Sequence, residues 1–451
     1  MPAITFARLL PSAIRLAAVR LGAGVCTHVS AYAAGPGACL PDSPPLDAAP
    51  RPSPRHAPRP VPAAVRVSQA APAPVAPVRD ARRTPEPAVS ARATPDRPPV
   101  ADADLLQPLR DGADRRPRAQ RIAGCLLGGA VGDAFGYEIE FESLDAIVAR
   151  FGARGLRQPV PRQGRLQVSD DTQMTLFTLE GLLRAPHPVG QGDATVAQVR
   201  LAYLDWLHTQ RGRRSDAAGH PPPAAGWLAT RPALQARRAP GSTCLQAAAA
   251  GATGRIESPI NDSKGCGAAM RAAPVGFLAV PDAMRLRLGS AVGALTHGHP
   301  DGWLPSGLMA VLTGRLLDGD SLPDALAVVL SGSLVGLLPG ARTLALLERA
   351  RDLAVRQPRD PRGAIRQLGL GWTGDEALAI AVYAALTGED FADAIARAAN
   401  HDGDSDSTAS LAGQLLGAWK GLDAVPARWA AALDVLDETL LLAREAQRVF
   451  G

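Results

Sequence analysis

Residues 51–100 contain 13 prolines, and residues 1–120 hold 22 of the chain's 41. Proline fixes φ, lacks an N–H and drives the preceding residue out of the helical region, so neither helix nor sheet propagates through such a stretch. Its other residues are mostly Ala, Arg and Val without periodicity, too little apolar bulk to offset the entropy of ordering. Residues 36–118 are therefore expected to be a disordered linker. Before it, Phe6, Leu9, Leu10, Ile14, Ala17 and Leu21 follow helical spacing, which makes residues 1–35 a candidate amphipathic helix. Arg15 and Arg20 interrupt the apolar run that a secretory signal needs. The remaining residues, 119–451, are long enough for one sizeable core.

Charge divides at the same place. The whole chain carries +5, whereas residues 1–120 alone carry 16 Arg against 9 acidic residues. The rest is near neutral, which argues against a nucleic-acid-binding face. No stretch is apolar enough to suggest a membrane span. The five cysteines, Cys26, Cys39, Cys125, Cys244 and Cys266, form no CxxC pair. Their odd number and wide spacing indicate neither a zinc site nor a disulfide framework, and a cytoplasmic protein is expected.

From residue 119 onward apolar residues recur at helical spacing. Such faces occur at 119–131, 171–184, 195–209, 283–296, 302–317, 341–355, 374–387, 390–399, 405–420 and 428–448. Heptads are missing and alternating β-branched runs are few, so the expected fold is an all-α, compact multi-helix bundle. Val328–Leu338 is ambiguous between helix and strand.

Two acidic clusters stand out, each at a helix start. One is Ser169-Asp170-Asp171-Thr172 and the other His401-Asp402-Gly403-Asp404-Ser405-Asp406-Ser407-Thr408. Adjacent aspartates at a helix N-terminus also suit plain capping. Carboxylates beside hydroxyls equally suit Mg²⁺, Mn²⁺ or Ca²⁺, which take oxygen ligands. If the fold joins the clusters, their mutual repulsion calls for cations between them. Three further segments are unusual. Gly128–Gly136 is too glycine-rich for an ordinary helix interior; it suits close helix packing or a tight turn, and leads to Glu138, Glu140 and Glu142. Asn261–Arg271 is a small-residue loop that opens a helix and whose N–H groups suit a phosphate. Thr296-His297-Gly298-His299 brings two histidines together without a cysteine.

In order along the chain, GGAVGDAFGYEIEF (128–141), SDDTQM (169–174), SKGCGAAMR (263–271), Thr296-His297, GWTGDEAL (371–378) and GDSDST (403–408) resemble the ADP-ribosylglycohydrolase family, of the dinitrogenase-reductase-activating type. The resemblance covers about residues 119–450. It implies an all-α fold with a binuclear metal centre and a hydrolase that removes ADP-ribose from protein side chains, arginine-linked ADP-ribose being favoured. The implied metal ligands are Ser169, Asp170, Asp171, Asp404, Asp406 and Ser407, holding two divalent cations, Mg²⁺ or Mn²⁺. Asp171 and Glu140 are the implied catalytic carboxylates. Ser263, Gly265, Cys266, Gly267 and His297 are the implied substrate-binding residues. Lys264 stands where the family commonly has Asn. The expected partner is an ADP-ribosylated protein, and the enzyme is expected to be a monomer. Some bacterial relatives neutralise ADP-ribosylating toxins, and an ADP-ribosyltransferase toxin bound by the N-terminal extension is a further implied partner. A non-catalytic ADP-ribose-binding or structural relative is the alternative, against which the intact SDDT and GDSDS clusters count.

Overall fold

The computed structural model describes residues 117–186, 192–211, 226–332, 334 and 341–451. The helix expected at 1–35 and nearly all of the linker expected at 36–118 lie outside these residues. Fifteen α-helices form among the described residues. They are α1 (Pro117–Gly136), α2 (Leu144–Phe151), α3 (Asp170–Leu183), α4 (Gly192–Arg211), α5 (Ser242–Ala249), α6 (Asp282–Ala294), α7 (Pro300–Asp318) and α8 (Leu322–Leu330). There follow α9 (Ala341–Arg356), α10 (Pro361–Arg366), α11 (Gly374–Thr387), α12 (Phe391–Ala399), α13 (Ser405–Lys420), α14 (Ala427–Ala431) and α15 (Leu436–Phe450). No strand forms among the described residues, only isolated bridges such as Leu166 with Leu433 and Gly265 with Thr373. The fold is all-α, as the periodicity predicts. No helix of the described residues is long and apolar enough to cross a membrane.

The centre of the bundle is the antiparallel pair α1–α13, the most extensive helix contact among the described residues. Every residue from Ile122 to Gly136 is buried, as is every residue from Ser405 to Ala418. These helices are therefore buried all round rather than amphipathic. Gly128–Gly136 is helical throughout, and this resolves the expectation in favour of close packing over a tight turn. A Cβ on Gly124, Gly128, Gly132 or Gly136 would come within 3.0 Å of main-chain atoms of Gly417, Gly413, Ala409 or Ser405 respectively. Glycines four apart form one ridge, so two backbones meet along it without side chains between them. Close packing offsets the roughly 0.5–1 kcal/mol that each helical glycine costs relative to alanine. The end of α1 is thereby held against the start of α13. Helices α3, α7, α11 and α12 pack around this pair.

Two local expectations are corrected. The face expected at 428–448 is not one helix. Between α14 and α15 the chain turns so that Leu166 N–H donates to Ala432 O at 2.8 Å and Asp434 N–H donates to Leu166 O at 3.0 Å. These bonds to a distant loop replace intrahelical ones. The loop Asn261–Arg271 opens only a three-residue 3₁₀ turn, Cys266–Ala268, so it has no sustained helix dipole behind it. Within the ambiguous segment, Val328–Leu330 belongs to α8.

Candidate active site

Asp133, on the last turn of α1, is fully buried and organises the start of α3. Its carboxylate accepts the Ser169 N–H at 2.9 Å, the Thr172 N–H at 2.9 Å and the Thr172 hydroxyl. Ser169 is the N-cap of α3, its Oγ accepting the Asp171 N–H at 3.2 Å. With Ser169 so engaged, Asp170 and Asp171 project from the first turn. Asp170 is steadied by the Gly241 N–H at 3.2 Å. At the other cluster, Asp404 is the N-cap of α13 and accepts the Ser407 N–H at 3.2 Å. Its own N–H donates to Leu370 O at 2.8 Å. Both clusters therefore cap helices, and capping is also what aims their neighbours into one space.

That space is a cavity of about 240 Å³ lined by Glu140, Asp170, Asp171, Asp404, Asp406 and Ser407 on one side. Gly265, Cys266, Gly267 and His297 line it on the other, with Thr243, Cys244 and Trp372. Ten of the twelve sequence-predicted site residues thus meet, across 267 residues of chain from Glu140 to Ser407. Ser169 and Ser263 do not line it. Ser169 lies beneath as a cap, and the Ser263 hydroxyl bonds to the Thr243 hydroxyl at 3.1 Å. Of the three glutamates after α1 only Glu140 enters, because Glu138 and Glu142 pair with Arg150. His299 caps α7 through the Asp301 N–H at 3.0 Å and lies outside. A larger cavity of about 790 Å³, lined partly by Arg200, Arg255 and Arg287, contains none of the predicted residues.

Burial dominates the electrostatics. It pushes the Glu140 carboxyl up to about 9 and that of Asp170 up to about 8, with neighbouring carboxylates adding to both. Asp171 and Asp406 are held well above the usual carboxylate range and Asp404 is raised too, for the same first reason. The Asp406 carboxyl group lies close enough to those of Glu140 and Asp404 to interact with both. Carboxylates in such contact must share a proton or have a cation between them. No Lys or Arg lines the cavity. Glu140 Oε2 and Asp171 Oδ2 are buried without any hydrogen-bond partner. As the side chains stand, no three His, Cys, Asp or Glu groups among the described residues form a closed metal cage; the carboxylates lean on one another instead. An oxygen-rich donor set with orphaned acceptors and no cationic side chain nevertheless fits hard divalent cations.

On the opposite wall, the Gly265 N–H donates to Ser263 Oγ at 3.4 Å and the Cys266 N–H to Trp372 O at 3.1 Å. Two of the N–H groups expected to face a phosphate are thus already engaged. Cys266 Sγ donates to Asp404 Oδ2 at 2.7 Å, joining the loop to the carboxylates. His297 lies against the backbone of Gly265 and Gly267, and its Nδ1 shares a hydrogen bond with Thr296 Oγ1 at 2.8 Å. Burial, with Arg271 nearby, lowers its pKa to about 3, so the ring is neutral at pH 7.

Sequence reasoning did not single out Asp133, Arg271 or Trp372. Asp133 and Arg271 carried a usable signal, since a charge inside an otherwise apolar run has to be satisfied by partners. Arg271 is fully buried and donates to Tyr203 Oη at 2.8 Å, Thr296 Oγ1 at 2.6 Å and Gly267 O. It ties the loop to the wall that holds His297. Trp372 stands in the GWTGDEAL segment (371–378) that resembles the family, but no local pattern marks it as a site residue, because only the fold brings residue 372 to the loop.

Residues 114–450 match the family described as ADP-ribosylglycohydrolase. The ADP-ribosyl-[dinitrogen reductase] glycohydrolase of Rhodospirillum rubrum is 26% identical over 323 residues, covering 70% of this chain and 90% of that protein. An uncharacterised protein of Archaeoglobus fulgidus is 26% identical over 324 residues, covering 69% of this chain and 90% of its own. A solved structure described as an ADP-ribosylglycohydrolase-related protein complex is 24% identical with a TM-score of 0.49, covering 74% of this chain and 99% of its own. The family match spans well over half of the sequence and contains every residue of the cavity, so this chain belongs to the ADP-ribosylglycohydrolase family, whose reaction is the hydrolytic removal of ADP-ribose.

Proposed function

We propose that this protein removes ADP-ribose from arginine side chains by metal-dependent hydrolysis, with residues 119–451 as the hydrolase domain. The reading is supported chiefly by the convergence of five carboxylates and Ser407 on one wall of a cavity whose other wall is a Gly-Cys-Gly loop and a neutral histidine. The named activity of the Rhodospirillum rubrum relative, on ADP-ribosyl dinitrogen reductase, supports ADP-ribosylated protein as the substrate class. Absence of a CxxC pair and the free state of Cys125, Cys244 and Cys266 favour a reducing cytoplasm.

Asp170 and Asp171 from α3, with Asp404, Asp406 and Ser407 from α13, would hold two divalent cations, Mg²⁺ or Mn²⁺, with Ser169 behind them. When bound, such a pair supplies positive charge that orients hydroxyls and acidifies water. Breaking the bond at the anomeric carbon builds oxocarbenium character, which a wall of carboxylates stabilises. Asp171 and Glu140 each keep one buried oxygen without a partner. Those oxygens are the acceptors for the proton of the attacking water. Neutral His297 and the closely approachable backbone at Gly265 and Gly267 take the diphosphate side. His297 acts there as a hydrogen-bonding group rather than as a cation.

The test is release of ADP-ribose from arginine-modified protein with Mg²⁺ or Mn²⁺ against EDTA. Activity should require the metal, and Asp171→Asn and Asp404→Asn should each lower kcat/KM by about two orders of magnitude or more. Turnover in EDTA equal to that in Mn²⁺ would reject the reading. A role in immunity rests on the extension, which lies outside the described residues. Equal binding of an ADP-ribosylating toxin by full-length protein and by protein lacking residues 1–116 would remove that role.

A further inference from the structure

Phe141 and Trp372 stack on each other at the mouth of the cavity, with ring centroids 6.2 Å apart and planes 18° apart. Both are unusually open for aromatic side chains, 76% and 41% exposed. Neither belongs to the hydrophobic core or packs against it. Trp372 lines the cavity, and Phe141 directly follows Glu140, which lines it too.

Their backbones are held firmly. Phe141 ends a turn in which the Ile139 N–H donates to Gly136 O at 2.9 Å and the Glu142 N–H to Ile139 O at 3.0 Å. Ile139 is buried and anchors that turn. On the other side, Trp372 O accepts the Cys266 N–H at 3.1 Å and the Gly374 N–H donates to Lys264 O at 2.9 Å. Gly371, at φ 82, makes the left-handed bend that brings residue 372 over the loop. An exposed aromatic pair presented so rigidly beside a cavity is a surface prepared for a ligand.

The chemistry of the ligand follows from what the rings lack. Elsewhere among the described residues the protein stacks its own cations on aromatic rings: Arg150 on Phe151, Arg231 on Trp227, Arg271 on Tyr203 and Lys420 on Trp419. None of these cations lies over Phe141 or Trp372. The neighbouring Glu140 has a buried carboxylate oxygen without a donor. A flat aromatic face beside an unpaired carboxylate is complementary to a planar cation that carries N–H groups, which describes a guanidinium. We propose that Phe141 and Trp372 form the acceptor subsite, receiving the guanidinium of the ADP-ribosylated arginine beside Glu140. This inference rests on the arginine-linked reading above and adds the residues that would select it.

The experiment uses the full chain with Mn²⁺ and ADP-ribosyl-arginine as substrate, and free ADP-ribose as a product inhibitor that lacks the acceptor. Trp372→Ala and Phe141→Ala should each raise KM by about 3- to 30-fold, the range of a cation–π contact. Because the lost contact is present in ground and transition states alike, kcat should hold while the Ki of ADP-ribose shifts by less than about twofold. Trp372→Phe should restore most of the KM. An equal rise in KM and Ki would place the stack under the adenine instead and overturn the proposal. An unchanged KM in both alanine variants, with wild type active, would overturn it and leave the arginine reading standing. Wild type that cleaves serine-linked but not arginine-linked ADP-ribose would reject the arginine reading and this subsite with it.

Discussion

Asp133 never faces the cavity, yet it fixes the geometry of the first acidic cluster through two backbone N–H groups and a hydroxyl. A carboxylate that positions ligands in this way is expected to matter almost as much as the ligands. Asp133→Asn keeps the shape but puts an amide donor against donors. We expect it to weaken Mn²⁺ binding and kcat/KM by about 10- to 100-fold, read by isothermal titration and by ADP-ribose release. Wild-type metal affinity in this variant would show that α3 aims its aspartates unaided. Ser169 and Ser263 illustrate how motif matching and geometry diverge. Both stand in recognisable motifs, but their hydroxyls are taken up by the Asp171 N–H and the Thr243 hydroxyl, and neither serine lines the cavity.

Among the elements, the pair α1–α13 determines most. Four glycines spaced four apart on α1 let its backbone touch that of α13, and the two helix ends that carry Glu140 and Asp404 meet as a result. Gly132→Ala would drive its Cβ into Ala409 O, a main-chain atom that cannot rotate away. We expect a loss of stability of about 1–3 kcal/mol from this overpacking, measured by urea unfolding. Because separating the helices also separates the acidic clusters, activity should fall even where the variant stays folded. An unchanged unfolding midpoint would mean that the pair has slack. Helical periodicity in the sequence located α3, α4, α6, α7, α9, α11, α12 and α13 within a few residues. It passed over α2, α5, α8 and α10, which are all nine residues or shorter. So few turns rarely give a pattern long enough to stand out; α12, also nine residues, stands out because Phe391, Ala394, Ile395 and Ala398 make one sharply defined apolar face.

At the scale of the molecule, the carboxylate cavity couples folding to protons and to metal. The raised folded-state pKa values of Glu140, about 9, and Asp170, about 8, mean that the metal-free native state keeps protons that the unfolded chain releases. Stability of the metal-free protein should therefore fall as pH rises through that range. His297 and His401 act in the opposite sense at lower pH. Burial holds them near 3 and 4, so the unfolded chain binds the extra protons and stability rises with pH up to about 6.5, where unperturbed histidine titrates. The informative window is thus pH 7 to 9. In EDTA the Tm should decline across it, and Mn²⁺, which binds the folded form, should raise Tm more at pH 9 than at pH 7. A Tm in EDTA that is flat over this window, with no response to Mn²⁺, would contradict a carboxylate-built cation site.

The sequence by itself determined the class of the fold and the chemical character of the site. Helical spacing is a local property, and a run of Asp, Ser and Thr at a helix start keeps its oxygen chemistry wherever the chain goes. It also confined the basic and proline-rich residues to the first quarter of the chain, leaving a near-neutral body. Tertiary structure decided what depends on proximity between distant residues. Which of Glu138, Glu140 and Glu142 turns inward follows from Arg150 claiming the other two. The Gly-rich segment is a helix because α13 offers it a backbone to pack against. Trp372 reaches Phe141 only through the bend at Gly371 and the bond to Cys266. No local pattern encodes such meetings, because their free energy arises only when both partners are already in place.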